Sequence, residues 1–123
     1  MTRRKILLAD DDEAVLDFMQ AKLGAKYDLV TTNAADNVGA LARQHRPDLI
    51  ICDVDMPEMD GGDVSAALYD DEDTRTIPML FLTGLVSASD LKATRGDIGG
   101  RPAIAKNAPV AELVARIEAL VRK

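Results

Sequence analysis

The sequence predicts an α/β fold: a parallel sheet of five strands with helices on both faces. Two observations carry that prediction. Short apolar runs alternate with segments of helical period five times along 123 residues, and parallel strands require crossover connections of this kind. The strand candidates are also apolar throughout, as strands buried on both faces are. With 47% hydrophobic and 29% charged residues, the chain has the size and composition of one domain, residues 1–123. No repeat, low-complexity tract or linker divides it.

Lys5–Ala9 is the first strand, stopped by Asp10-Asp11-Asp12. From Glu13 to Leu23, the apolar residues Val15, Leu16, Met19 and Leu23 recur at helical spacing. Gly24 is placed to end that helix in a left-handed turn. Asp28–Thr32 is the second strand, and Thr32 or Asn33 is expected to cap the helix that follows. That helix carries Val38, Leu41 and Ala42 and ends before Pro47. Residues 49–52 form the third strand, which runs into Asp53. A loop with Pro57 and Gly61-Gly62 leads to a short helix carrying Val64, Ala67 and Leu68. Residues 79–82 are the fourth strand, ending at Thr83. Ser87 and Asp90 have the spacing of a capping box for a weak fourth helix. Residues 103–105 make a poor fifth strand, ending at Lys106. Val110, Leu113, Val114, Ile117, Leu120 and Val121 form one stripe of a last helix.

Charge and cysteine content narrow the function. A net charge of −6 lacks the electrostatics of a phosphate-tracking protein, so no direct nucleic-acid contact is expected. The single cysteine, Cys52, has no internal partner, which fits a reducing compartment. No apolar run approaches the ~18 residues of a bilayer span, and the apolar stretch after the basic first residues is too short for a signal peptide. A cytoplasmic protein without a membrane partner is expected.

The chemistry is read from what ends each strand. Asp10 and Asp11 end the first, Asp53 the third, Thr83 the fourth and Lys106 the fifth. In open parallel sheets, ligands bind outside the carboxyl ends of the strands, so these residues are expected to converge. Clustered carboxylates repel by about 4 kcal/mol per pair at ~4 Å and an effective dielectric near 20. They either raise one another's pKa or hold a cation. All-oxygen ligands suit Mg²⁺; the one histidine, His45, lies near the second helix, and Cys52 is expected in the core. Thr83 and Lys106 supply a hydroxyl and a cation for phosphoryl oxygens. Asp53, lying between them, is the candidate nucleophile for an acyl phosphate.

Each feature alone has a plainer reading. Asp10-Asp11-Asp12 reads equally as a solvated helix cap, and Asp53 as a turn former. The weight lies in their joint placement. Asp70-Asp71-Glu72-Asp73 reads as a solvated helix end, His45 as a surface residue, and Met56 and Met59 as packing residues.

These residues also match a known pattern. Ile6-Leu-Leu-Ala-Asp-Asp-Asp12, Asp53-Val-Asp-Met-Pro-Glu-Met-Asp-Gly61, Phe81-Leu-Thr-Gly84 and Lys106 closely resemble the receiver domain of two-component response regulators, of the chemotaxis-receiver type. The resemblance covers essentially the whole chain. It implies a flavodoxin-like fold of sheet order 2-1-3-4-5. It implies that Asp53 accepts a phosphoryl group from a histidine kinase or phosphotransfer protein. Asp10, Asp11, Asp53 and the backbone carbonyl of Asp55 would hold Mg²⁺. Thr83 and Lys106 would bind phosphoryl oxygens and report phosphorylation to the surface of the fourth helix, fifth strand and fifth helix, where an output protein or domain would dock. Pro57 and Gly61 would shape the loop after the phosphoacceptor. Such a domain catalyses only its own phosphorylation and dephosphorylation.

Three departures from the pattern stand out. Lys106 is followed by Asn107 where the family usually has proline with a cis bond. A non-proline cis bond costs ~3 kcal/mol, so a trans peptide or a rearranged loop is expected. Ala103 stands where an aromatic residue often swings inward on activation. Asp55 is acidic where many relatives are neutral. Ala103 and Asn107 lend weight to an alternative, a pseudo-receiver interaction module with weakened switching. A further alternative is a haloacid-dehalogenase-like phosphatase, whose D-x-D motif Asp53-Val-Asp55 resembles. Against it, two strands precede the motif. The sequence through Lys123 fits a stand-alone receiver and one domain of a longer regulator alike.

Overall fold

The computed structural model describes residues 3–54, 61–83, 97–98, 101–106 and 108–121; for 61, 62, 97, 98 and 101 it describes the backbone alone. In chain order the elements are β1 (Lys5–Ala9), α1 (Glu13–Leu23), β2 (Asp28–Thr32), a 3₁₀ turn (Ala35–Asn37), α2 (Val38–His45), β3 (Leu49–Asp53), α3 (Gly61–Asp70), β4 (Met79–Thr83), β5 (Asp97–Ile98), β6 (Arg101–Ala105) and α4 (Val110–Val121). The sheet order is β2-β1-β3-β4-β6-β5. Its first five members pair in parallel. Counting those alone, the order is the expected 2-1-3-4-5. The predicted weak fourth helix lies outside the described residues.

Period-two alternation divides the strand residues between two cores. Ile6, Leu8, Leu49, Ile51, Leu80, Leu82 and Ile104 pack with Leu16, Met19 and Leu23 of α1 and Leu113, Ile117 and Val121 of α4. Leu7, Ala9, Ile50, Cys52, Met79, Phe81 and Ala103 pack with Val38 and Ala42 of α2 and Val64 and Leu68 of α3. Both sets are apolar because helices cover both faces. Burying one such side chain contributes about 1.5 to 3 kcal/mol.

Three local expectations are corrected. Gly24 is right-handed, with φ −62° and ψ −24°. What it provides is space: a Cβ there would sit 2.5 Å from the Gln20 carbonyl oxygen. The left-handed cap belongs instead to Arg46, at φ 48°, the residue before Pro47. Pro disfavours the right-handed helical region for its predecessor, so the helix stops there. Neither Thr32 nor Asn33 caps α2. Thr32 Oγ1 accepts from Ala34 N at 3.2 Å, a local turn, while Asn37 precedes α2 without a side-chain cap bond. Finally, Gly61 and Gly62 lie in α3 rather than in the loop before it.

The sheet also has an addition. Asp97 and Ile98 pair antiparallel with Pro102 and Arg101. Between the two strands the sequence has Gly99-Gly100, a pair type favoured in two-residue hairpin connections. At the other end of the chain, buried Tyr27 donates its phenol to Glu118 Oε2 at 2.5 Å, tying the start of β2 to α4. Burial first, then the Glu118 hydrogen bond and charge, push the Tyr27 phenol well above its ordinary range.

Candidate functional site

The strand register assembles the site. Ala9 pairs with Cys52, so Asp10 and Asp53, the next residue in each chain segment, emerge side by side. Thr83 pairs with Ala105, and Lys106 N donates to the Thr83 carbonyl at 2.9 Å. Residues of four strand ends thus meet at one rim, as their positions in the sequence implied.

Asp10 is 0% and Asp53 3% exposed, and Thr83 is also buried. Buried charge requires a counter-charge. Lys106 supplies it, with Nζ 3.0 Å from Asp10 Oδ2 and 3.2 Å from Asp53 Oδ2. Burial pulls the Lys106 pKa down, but the hydrogen bonds and negative charges of Asp10 and Asp53 outweigh it and leave the pKa raised.

Asp11 is exposed, yet one carboxylate oxygen each from Asp10, Asp11 and Asp53 lies within 4.8 Å of the others. The two oxygens of Asp10 are differently engaged. Oδ1 accepts from Asp12 N at 2.9 Å. Oδ2 is fully buried and has no described hydrogen-bond partner beyond the Lys106 ammonium. A buried oxygen with spare lone pairs, beside two further carboxylates, fits a hard cation and not a thiolate- or imidazole-seeking one.

Neighbouring residues set limits on the chemistry. Cys52 Sγ lies 3.3 Å from the Asp53 carbonyl oxygen, as a donor to it. Burial, then the charges of Asp53 and Asp10, push the Cys52 thiol up to about 12, so it is a packing residue and not a nucleophile. Ala103 is buried opposite Phe81. Asp12 caps α1: its Oδ1 accepts from Ala14 N at 3.0 Å. The helix-cap reading of the aspartate run is therefore correct for Asp12, while the Asp10 and Asp11 carboxylates cluster with Asp53. Asp71, in the run read as a solvated helix end, accepts a surface hydrogen bond from Arg43 at 2.6 Å, which first among several causes holds its carboxyl below the usual range. Asp55, Met56, Pro57, Met59 and Asn107 lie outside the described residues, and so does the Lys106–Asn107 peptide.

Comparison with known proteins gives one answer. The family model for the response regulator receiver domain matches residues 6–118. The chain is 39% identical over 122 residues to the DNA-binding dual master transcriptional regulator RpaA of Synechocystis, covering 97% of this chain and 49% of that one. It is 39% identical over 120 residues to the response regulator PleD of Caulobacter vibrioides, covering 96% and 26%. It thus spans about half and about a quarter of these relatives. The BeF3-activated N-terminal receiver domain of Klebsiella pneumoniae RstA superposes with a TM-score of 0.81 at 28% identity, covering 97% and 99%. With the family model matched over nearly the whole chain and curated relatives at 39% identity, the chain belongs to the response regulator receiver domain family.

Proposed function

We propose that Asp53 is the phosphoacceptor of this receiver. The observation that supports this best is the meeting of buried Asp10 and Asp53 on one ammonium, with Asp11 and Thr83 at the same rim. An Asp53 carboxylate oxygen attacks phosphorus as the bond to a phosphohistidine nitrogen breaks, and the departing imidazole keeps the electron pair and gains a proton. Asp53 becomes an acyl phosphate. Lys106 turns from the carboxylates to the incoming phosphoryl oxygens, and the Thr83 hydroxyl donates to them.

Asp10, Asp11 and Asp53 would hold Mg²⁺, and the family resemblance adds the backbone carbonyl of Asp55, which lies outside the described residues, as a further ligand. When bound, Mg²⁺ neutralises charge on the phosphoryl oxygens. Lys106 and Thr83 then carry the change to the β6–α4 side, where an output protein or domain docks. The RstA receiver, described as BeF3-activated, is a relative responding to a phosphoryl mimic. The domain catalyses only its own phosphorylation and dephosphorylation, and residues 1–123 act as one unit in the cytoplasm. In support, no helix among the described residues is long and apolar enough to cross a membrane. RpaA is named as DNA-binding, but a net charge of −6 favours protein partners for this domain itself.

The test is labelling by acetyl phosphate. Stoichiometric, Mg²⁺-dependent labelling is expected, and Asp53→Asn abolishes it. Unchanged labelling of that variant refutes the assignment.

A further inference from the structure

We infer that Asp12 is a positioning residue for the cation site, holding the Asp10 carboxylate in place through its own backbone N–H; the inference rests on the reading of that rim as a Mg²⁺ site. Residue 12 is engaged on two sides. Towards α1, its side-chain Oδ1 accepts from Ala14 N at 3.0 Å, and its carbonyl accepts from Val15 N at 3.0 Å and Leu16 N at 3.2 Å. Towards the site, its N–H donates to Asp10 Oδ1 at 2.9 Å. The cap fixes the backbone of residue 12 at φ −92° and ψ 108°, and that conformation aims the N–H at Asp10.

The consequence falls on the other oxygen. With Oδ1 held by the amide, rotation of the Asp10 carboxylate is stopped and Oδ2 stays turned into the rim. There it has the Lys106 ammonium 3.0 Å away and no other described hydrogen-bond partner. Asp12 therefore does more than begin a helix. Its exposed side chain anchors the first turn, and the same anchor presets a ligand oxygen two residues earlier. Presetting matters because a site that is correctly formed only part of the time binds with an affinity reduced by that fraction.

Two variants separate this role from its rivals. Asp12→Asn keeps an oxygen acceptor at the cap and removes the charge; Asp12→Ala removes both. Mg²⁺ affinity is read by NMR titration of backbone amides, and protection of the Asp12 amide by hydrogen exchange in metal-free protein. Loss of the cap is expected to weaken Mg²⁺ binding about fivefold in Asp12→Ala, with faster exchange of the residue-12 amide. Asp12→Asn is expected to stay within about twofold of wild type and to retain protection. Equal weakening in both variants would make the charge responsible and overturn the inference. So would Asp12→Ala binding as wild type does, with only a lower melting temperature. If the wild-type protein binds no Mg²⁺, the metal reading fails, while amide protection still decides whether the cap holds the Asp12–Asp10 bond.

Discussion

Replacing Lys106 by Met tests the electrostatics of the rim. At 3.0 and 3.2 Å from the two carboxylates, each attraction is about 5 kcal/mol gross at an effective dielectric near 20. The ammonium loses hydration to make these contacts, and its side chain remains 24% exposed. Removing one partner of a fully buried pair costs about 3 to 5 kcal/mol, so a partly screened lysine is expected to cost about 2 to 3 kcal/mol. Urea unfolding of wild type and Lys106→Met without metal measures that gap.

The sharper readout is the response to Mg²⁺. The ammonium occupies electrostatic ground that a divalent cation also seeks, so its removal is expected to raise Mg²⁺ affinity. Cation at about ten times its Kd stabilises a folded protein by about 1.4 kcal/mol, and the tighter-binding variant gains more than wild type at equal concentration. The gap therefore narrows with Mg²⁺. It also closes in alkali. A raised Lys106 pKa contributes stability that is fully present below the unfolded value of 10.5 and lost as pH rises through the folded one. A variant as stable as wild type without metal, or a gap that Mg²⁺ leaves unchanged, would refute the reasoning.

Two further substitutions test packing. Gly24→Ala forces a methyl against the Gln20 carbonyl and is expected to cost about 1 to 3 kcal/mol, whereas Gly39→Ala in α2 meets nothing within 4 Å and is expected to stabilise by about 0.4 to 1 kcal/mol; denaturant midpoints read both. Tyr27→Phe removes the phenol from Glu118 at an expected cost of about 1 to 2 kcal/mol. Because the folded Tyr27 pKa lies above the unfolded value of 10.0, that difference shrinks above pH 10, and a difference constant through alkaline unfolding would contradict it.

The sheet was legible because each strand is buried on both faces, so residues such as Leu7 and Leu8 are both apolar although they enter opposite cores. The rim was legible because polar residues end those runs abruptly at Asp10, Asp53, Thr83 and Lys106. Local turns were harder. Gly24 and Arg46 show why: a glycine after a helix suits both a left-handed turn and a close approach, and only the neighbouring carbonyl distinguishes them. Arg46 carries no glycine-like signal, but Pro47 after it did. Asp97–Ile98 gives no strand signal in the sequence, because a two-residue strand is too short to show a period. The double duty of Asp12 was invisible, since it depends on where a backbone N–H points.

The rim also bears on the order of folding. Asp10 follows β1 and Lys106 follows β6, far apart along the sequence, yet their side chains touch. A folding route that pairs β1 with β3 before β6 docks sets two carboxylates face to face with no ammonium to quiet them. Docking of β6 relieves that repulsion, and a variant that weakens β6 inherits the repulsion without the remedy.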